Sequence, residues 1–312
     1  MTTPNQFPIP ELYVSPEAAA ALTQEAARLP GWVLTARQLC DLELLMNGGF
    51  YPLKGFLTQA DYDLVLAEMH LASGHLWPIP VTLDVSDEFA RQIEPGRDIA
   101  LQDPKGAVLA IMSVTDKWVP DKLAEARQLH GTEDRSHPGV GYLIDSAGPV
   151  YLGGKVKGLQ RPSCGFHSDC RTPNELRHRF RDLGWTQVLA VQPADLPEPD
   201  GLTRISRVAQ EAQADLLIQP IVGMASPAQA DELLRVAHDW TGPDVEPSAL
   251  NLATRMAGPR EVLWHALVRR NHGATHVVCS GAVQGKATYD AAQRLFQQYH
   301  GEAGVTVIGL ET

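Results

Sequence analysis

Strands and helices alternate through the second half of the chain, and this alternation limits the possible folds more than any other feature. The apolar runs Gln187–Gln192 and Leu216–Val222 predict buried strands, and Leu202–Ala214 between them predicts a helix. Strands alternating with helices of about 10–15 residues predict a parallel sheet covered on both faces, with ligands beyond the carboxyl ends of its strands. The rhythm continues with helices at Pro227–Asp239 and Gly258–Asn271, a strand at His276–Cys279, a helix at Tyr289–Tyr299 and a strand at Val305–Leu310.

The first half has a different pattern. Ala-rich Pro16–Arg28 and the segment Ala36–Met46 predict helices, and the turn Asp103–Gly106 between apolar runs predicts a β-hairpin. Short apolar runs broken by Gly and Pro indicate a mixed, β-rich domain.

The two patterns meet in a Pro-, Ser-, Cys- and Gly-rich stretch at about residues 160–171. Just after it, Thr172, Pro173 and Glu175 form the start signal of a helix, with a capping box and Pro at the first position. We therefore expect an N-terminal domain over residues 1–165 and a C-terminal α/β domain over 166–312.

The charge of the chain excludes some partners. Lys and Arg number 26 against 37 Asp and Glu, which gives a net charge of −11. Nucleic acid and anionic membranes need a basic face, so neither is an expected partner. The sequence has no apolar run of transmembrane length and no signal-peptide pattern, and four cysteines favour a reduced cytoplasmic protein.

Two of these cysteines belong to the pattern Cys164-x-x-His167-x-x-Cys170. It supplies three soft ligands, whereas a structural zinc site uses four. The pattern therefore favours an ordinary linker, and we predict no metal site.

Several long strings resemble the ATP sulfurylase (sulfate adenylyltransferase) family. They are Arg37–Leu44, Asn47–Phe50, Pro52–Phe56, the strings that begin at Leu76, His137 and Gly148, and above all Arg255–His276. The resemblance implies a PUA-like N-terminal domain followed by a Rossmann-like nucleotidyltransferase domain. It also implies a reaction of Mg-ATP with sulfate that gives adenosine 5′-phosphosulfate (APS) and pyrophosphate, and such a reaction needs cations and backbone N–H donors around two polyanions.

The loop after the first strand of the C-terminal domain departs from the family. The family pattern there is Q-T-R-N-P-x-H-x-x-H, whose Arg binds sulfate and whose two His side chains bind ATP phosphates. Only Gln192 is kept in this chain, because Ala194, Asp195, Glu198 and Gly201 replace Arg, Asn and the two His. Three acids now lie where the family has cations, and the prolines of this loop prevent a helix until about Gly201.

Two further loops have lost their charged residues. Gly281, Ala282 and Val283 replace the Arg, Asp and His of the family pattern G-R-D-H-A-G, and the family Lys that follows Met224 by two positions is Ser226. The resemblance makes Arg255 the residual catalytic residue, matched to an arginine that stabilises the transferring phosphoryl group. The other remnants of the nucleotide and sulfate site are Gln192, Gly223, Met224, Gly258 and Arg260.

We interpret the chain as a member of the family that has lost the joining of ATP to sulfate. One alternative is an active adenylyltransferase with rearranged ligands and Mg-ATP as cofactor, and another is a different ligand or reaction. A salt-bridge network at a helix start would account for Arg255, Arg260, Glu261 and His265 without chemistry. The acids Asp195, Glu198 and Asp200 would form a solvated, Pro-rich loop. They could also hold a divalent metal, although their spacing matches no metal-binding motif.

The family also suggests partners. Its members are oligomeric and some are fused to APS kinase, so we expect a homo-oligomer that assembles with or regulates such a kinase. These 312 residues contain no G-x-x-x-x-G-K-[ST] phosphate loop of their own. Whether the native protein continues beyond Thr312 is open at this stage.

Overall fold

The computed structural model describes residues 8–162, 169–193, 201–240, 242–280 and 285–310. These residues form two compact units. The N-terminal unit comprises residues 10–163 and the short segment Arg255–Ala257. The C-terminal unit comprises residues 164–254 and 258–312, together with the beginning of the chain up to Ile9.

The N-terminal unit is built on a six-stranded sheet in the order β1-β4-β5-β6-β2, with β3 also paired to β6. All pairs are antiparallel except β1 with β4. Its strands are β1 (Gly31–Val33), β2 (Gly55–Phe56), β3 (Leu83–Val85), β4 (Asp98–Gln102), β5 (Val108–Trp118) and β6 (Val150–Gly158). Its helices are α1 (Pro16–Ala26), α2 (Ala36–Met46), α3 (Gln59–Glu68), α4 (Asp87–Ala90), α5 (Lys122–His130), α6 (Pro138–Gly141) and a π-helical turn at Tyr142–Ser146.

Local signals account for the elements predicted in this half. Thr35 and Gln38 form a capping box at the start of α2, and this helix has the predicted bounds. The predicted hairpin is the β4–β5 pair, whose turn is closed by Asp103 Oδ1 as it accepts from the amides of Lys105 and Ala107 at 2.9 and 2.8 Å. The first helix ends at Ala26 instead of Arg28.

The C-terminal unit contains a five-stranded parallel sheet in the order β11-β10-β7-β8-β9. Its strands are β7 (Val188–Val191), β8 (Asp215–Ile218), β9 (Val245–Pro247), β10 (His276–Ser280) and β11 (Thr306–Leu310). Its helices are α7 (Pro173–Leu183), α8 (Gly201–Glu211), α9 (Pro227–Asp239), α10 (Pro259–Asn271), α11 (Lys286–Gln298) and α12 (His300–Ala303). The predicted fold class, a β-rich unit followed by a unit with a parallel sheet, is confirmed.

The differences from the predicted elements have physical reasons. Strand β8 ends at Ile218, earlier than predicted, because Pro220 has no amide hydrogen for the ladder. Strand β9 was not predicted, because its three residues show no alternation and end in a proline at the sheet edge. Helix α11 begins at Lys286, three residues before the predicted start.

Helix α8 covers one face of the parallel sheet. Its Ile205 and Val208 pack in one buried apolar cluster with Leu189, Val191 and Ile218. No helix among the described residues is long and apolar enough to span a membrane. The proposed division between residues 165 and 166 stays a prediction, because residues 163–168 lie outside the described residues.

Candidate functional site

The parallel sheet has a switch point between β7 and β10. Strand β7 pairs with β8 on one side and with β10 on the other. Successive strands are therefore added in one direction from β7 to β9 and in the opposite direction from β10 to β11. Open α/β sheets bind ligands at such a point, outside the carboxyl ends of the strands. The described residues at these ends are Gln192 after β7 and Ser280 at the end of β10.

Gln192, the one residue kept from the family pattern after β7, is tied to helix α10. Its Oε1 accepts a hydrogen bond from Nη2 of Arg269 at 3.2 Å, and Arg269 is only 6% exposed. A buried guanidinium on a long helix fixes the orientation of the amide. Gln192 therefore lies directly after β7, as predicted, and its side chain is held by Arg269, which was not among the predicted site residues.

Gln219 is a buried polar residue at this edge that was not predicted from the sequence. It follows β8 directly, it is 0% exposed, and its backbone amide donates to the carbonyl of Val191 at 2.8 Å. Because Val191 pairs with Ile218, the next positions, Gln192 and Gln219, are neighbours on the same face of the sheet. Neither the oxygen nor the nitrogen of the Gln219 side-chain amide has a hydrogen-bond partner among the described residues. Because a buried polar group without a partner is costly, a ligand or a water molecule is expected to bind to it.

Gly223 and Met224, two other predicted remnants, follow β8 by a few residues. A Cβ at Gly223 would lie 2.5 Å from the carbonyl oxygen of Leu252, so only glycine allows the two backbones to approach this closely. The side chain of Met224 is half-exposed. The close backbone approach explains Gly223 without a ligand.

Helix α10 begins with the other two remnants of the C-terminal unit. Gly258 is its N-cap residue with φ +55°, a conformation that favours glycine, and Arg260 lies in the first turn. Burial lowers the pKa of the Arg260 guanidinium. In the same helix, the Glu261 carboxylate and the His265 imidazole approach within 3.5 Å, which is one contact of the predicted helix-start network.

Arg255, the predicted residual catalytic residue, belongs to the N-terminal unit. Its Nη2 lies 2.6 and 2.5 Å from the two carboxylate oxygens of Asp41 on α2, and both side chains are 3% exposed. Nearby, the guanidinium of Arg37 stacks 4.2 Å above the ring of Tyr142. Burial and the positive charge of Arg255 lower the pKa of Arg37. In this arrangement Arg255 is a charge-paired interior residue, and its catalytic role stays a prediction.

The ion pair borders a small polar cavity of about 30 Å³ in the N-terminal unit. Glu125 lines it and accepts hydrogen bonds from the hydroxyls of Tyr62 at 2.8 Å and Tyr151 at 3.1 Å. Burial raises the pKa of the Glu125 carboxyl. The cavity has the volume of one or two water molecules and the donors and acceptors to hold them.

Most of the altered loop positions lie outside the part of the chain that the structure describes. Ala194, Asp195, Glu198, Gly281, Ala282 and Val283 lie outside the described residues, as do Cys164 and His167. Helix α8 begins at Gly201, as the prolines before it predicted. Among the described residues there is no group of three His, Cys, Asp or Glu side chains that could hold a metal ion.

Comparisons with known proteins match both units. A family model of a PUA-like domain matches residues 2–161, and the ATP-sulfurylase model matches residues 168–312. The sulfate adenylyltransferase of Schizosaccharomyces pombe is 40% identical over 306 residues, which cover 92% of this chain and 62% of that protein. The sulfate adenylyltransferase of Mycosarcoma maydis is 41% identical over 310 residues, which cover 93% of this chain and 54% of that protein.

A solved structure matches as well. It is a hexameric APS kinase from Thiobacillus denitrificans, with a TM-score of 0.76 and 28% sequence identity. The match covers 97% of this chain and 55% of that chain. The chain therefore spans between half and two thirds of the length of each of these three proteins.

Proposed function

The chain belongs to the ATP-sulfurylase family, and from this premise we propose that it is a sulfate adenylyltransferase-like module that has lost the joining of ATP to sulfate. In this proposal it acts in the cytoplasm as an assembly or regulatory module for an APS kinase. It works as a homo-oligomer and needs no cofactor of its own.

The charge of the loop after β7 carries the proposal. Residues 193–201 contain Asp195, Glu198 and Asp200 and no Lys, Arg or His. ATP and sulfate are both polyanions, and two like charges about 4 Å apart repel by roughly 4 kcal/mol at an effective dielectric constant of about 20. Carboxylates in place of cations therefore oppose the binding of either substrate and the stabilisation of a charged transition state.

The state of Arg255, the predicted residual catalytic residue, supports the same conclusion. A phosphoryl-binding arginine must present its N–H donors to the ligand, whereas the Arg255 guanidinium is engaged with the Asp41 carboxylate. Withdrawing it would leave Asp41 as a buried, unpaired charge, which costs several kcal/mol. Nη2 of Arg255 is thus already engaged and does not present its donors to a transferring phosphoryl group in this arrangement.

The kinase part of the proposal is supported by the Thiobacillus denitrificans relative. The portion of that hexameric APS kinase that resembles this chain is 55% of its length, so the remainder of the relative has no counterpart in these residues. A sulfurylase-like module beside a kinase gives a reason for keeping the fold after the loops have changed.

The experiment is a pyrophosphate-release assay with Mg²⁺, sulfate and ATP, run beside an active sulfate adenylyltransferase. We expect no sulfate-dependent turnover above background and no thermal shift with millimolar ATP or APS. A variant that restores the family cations, with Ala194→Arg, Glu198→His and Gly201→His, is expected to gain an ATP-dependent thermal shift. Turnover that Arg255→Ala abolishes would contradict the proposal.

The names of the curated relatives favour a second candidate, an active Mg-ATP-dependent adenylyltransferase with rearranged ligands. It predicts sulfate-dependent pyrophosphate release by the unmodified chain, and the same assay therefore decides between the two. The partner is tested separately, by analytical ultracentrifugation of the chain alone and mixed with an APS kinase. We expect a stable oligomer that binds the kinase, and a monomer that leaves the sedimentation of the kinase unchanged would contradict the assembly role.

A further inference from the structure

The side-chain amide of Gln219 is a polar group of the switch point to which the proposed function gives no role. The residue is 0% exposed, and neither its oxygen nor its nitrogen has a hydrogen-bond partner among the described residues. A buried amide without partners costs free energy, so such a group indicates a ligand or an ordered water that completes it. Gln219 lies directly after β8, at the edge where open α/β sheets bind ligands.

Gln219 and Gln192 lie side by side on the face of the sheet that is turned away from α8. Val191 and Ile218 pair in register and pack with α8 in one apolar cluster. Because successive side chains of a strand alternate between its two faces, the next residues, Gln192 and Gln219, lie on the opposite face. The backbone amide of Gln219 donates to the carbonyl of Val191 at 2.8 Å, so the parallel pairing continues to this point. The two side-chain amides are therefore neighbours.

Together the two amides offer two donors and one acceptor. The oxygen of Gln192 already accepts from Nη2 of Arg269 at 3.2 Å, whereas no described residue accepts a hydrogen bond from the nitrogen of the same amide. Gln219 adds its own nitrogen and its own oxygen. Arg269 is 6% exposed and engaged with Gln192, so a ligand beside these two strand ends meets neutral amides.

A primary carboxamide has the complementary pattern of donors and acceptors. Its oxygen accepts from two donors and its NH₂ group donates to one acceptor, so it fills the open positions of both Gln192 and Gln219. A carboxylate or a sulfate has acceptor oxygens alone. Either anion would leave the oxygen of Gln219 buried, without a donor and facing negative charge.

We propose that the switch point binds a neutral ligand with a primary carboxamide, which Gln219 and Gln192 recognise together. Such a ligand replaces the polyanions that the three acids of residues 193–201 oppose, so this inference rests on the proposed function. The two residues act by binding and orienting the ligand.

Nicotinamide is the probe, because it is uncharged at neutral pH and because nicotinate supplies the same ring with a carboxylate in place of the carboxamide. We expect the full chain to bind nicotinamide at one saturable site in NMR titrations at millimolar concentration. Nicotinate is expected to bind at least about tenfold more weakly. Gln219→Met keeps the length of the side chain but removes both polar atoms, and it is expected to weaken the binding of nicotinamide about tenfold or more.

The matched control is Gln210→Met, at an exposed position on α8, which is expected to bind nicotinamide like the unmodified chain. Thermal melting checks that both variants are folded. Gln219→Met is expected to be at least as stable as the unmodified chain, because it no longer buries an amide that lacks a partner among the described residues.

The inference is overturned if nicotinamide does not saturate, if nicotinate binds equally well, or if Gln219→Met binds nicotinamide as the control does. A switch point that holds only a water molecule gives the first of these results. Pyrophosphate release keeps the two proposals apart. Sulfate-dependent turnover would contradict the proposed function, whereas a failure of nicotinamide to bind contradicts this inference alone.

Discussion

Arg255 and Asp41 are 214 residues apart in the sequence, yet Nη2 of the arginine lies 2.6 and 2.5 Å from the two carboxylate oxygens of the aspartate. Both side chains are almost fully buried. A buried pair of this kind is costly to break, because removal of either partner leaves an uncompensated charge in the interior. The family resemblance assigned Arg255 to chemistry, whereas in the structure it is one half of a buried ion pair.

The first prediction concerns this pair. Asp41→Ala is expected to lower the free energy of unfolding by about 3–5 kcal/mol, and Arg255→Ala by a similar amount. The double variant Asp41→Leu, Arg255→Met is expected to cost less than the sum of the two single changes, since it removes both charges together. Urea unfolding at fixed salt and neutral pH measures all of them.

The exposed pair of Arg127 and Glu133 provides the control. Arg127→Ala is expected to cost at most about 1 kcal/mol, because solvent screens a surface pair. Costs at Asp41 and Arg255 that are as small as this control, or that add without coupling, would contradict a structural role for the buried pair.

The sequence predicted elements well where the signals are local. Thr172 opens α7 with the predicted capping box, and α2 begins at the predicted residue Ala36. The parallel sheet followed from the strand–helix rhythm, because each strand is a short apolar run between helices.

The sequence could not predict contacts between distant residues. The residues next to Arg255 in the sequence do not indicate that Asp41 is its partner. Likewise, the residues next to Gln219 do not indicate whether its side-chain amide is buried without a partner among the described residues or exposed to solvent. The register between β7 and β8 decides that Gln219 lies beside Gln192, and register depends on the packing of the whole sheet.

The second prediction concerns Glu125. Burial raises the pKa of its carboxyl, so its contribution to stability is present at low pH and is lost as the pH rises through the raised value. Glu125→Gln keeps an acceptor for Tyr62 and Tyr151 but has no proton to lose. We expect the variant to gain stability relative to the unmodified chain as the pH rises above about 4.5.

Melting temperature as a function of pH measures this difference. Glu25→Gln, at an exposed position on α1, is the control and is expected to show a smaller dependence on pH. A difference between Glu125→Gln and the unmodified chain that stays constant or shrinks as the pH rises would contradict the prediction.

The third prediction concerns the backbone at β2. A Cβ at Gly55 would lie 2.1 Å from the carbonyl oxygen of Gly154 on β6, so Gly55→Ala forces these two strands apart. We expect a loss of about 3 kcal/mol or more in the free energy of unfolding. Gly96 also has a positive φ, but a methyl group at this position would have no described atom within 4 Å, and Gly96→Ala is expected to cost only about 1 kcal/mol. Equal costs at the two positions in urea unfolding would show that conformation, and not the close approach of β2 to β6, limits residue 55.

The last prediction concerns His272, which follows α10 and is 1% exposed. Burial lowers its pKa from 6.5 to about 4, and its Nδ1 lies 2.9 Å from the carbonyl oxygen of Val268. The unfolded chain therefore takes up this proton at a higher pH than the folded chain, so stability falls as the pH drops from about 6.5 to about 4, by about 3 kcal/mol at most. His272→Gln is expected to lose this part of the dependence, whereas His178→Gln, at an exposed position on α7, is expected to keep it. Calorimetric melting between neutral pH and about pH 4.5 measures the slopes, and identical slopes for His272→Gln and the unmodified chain would show that another group causes the acid sensitivity.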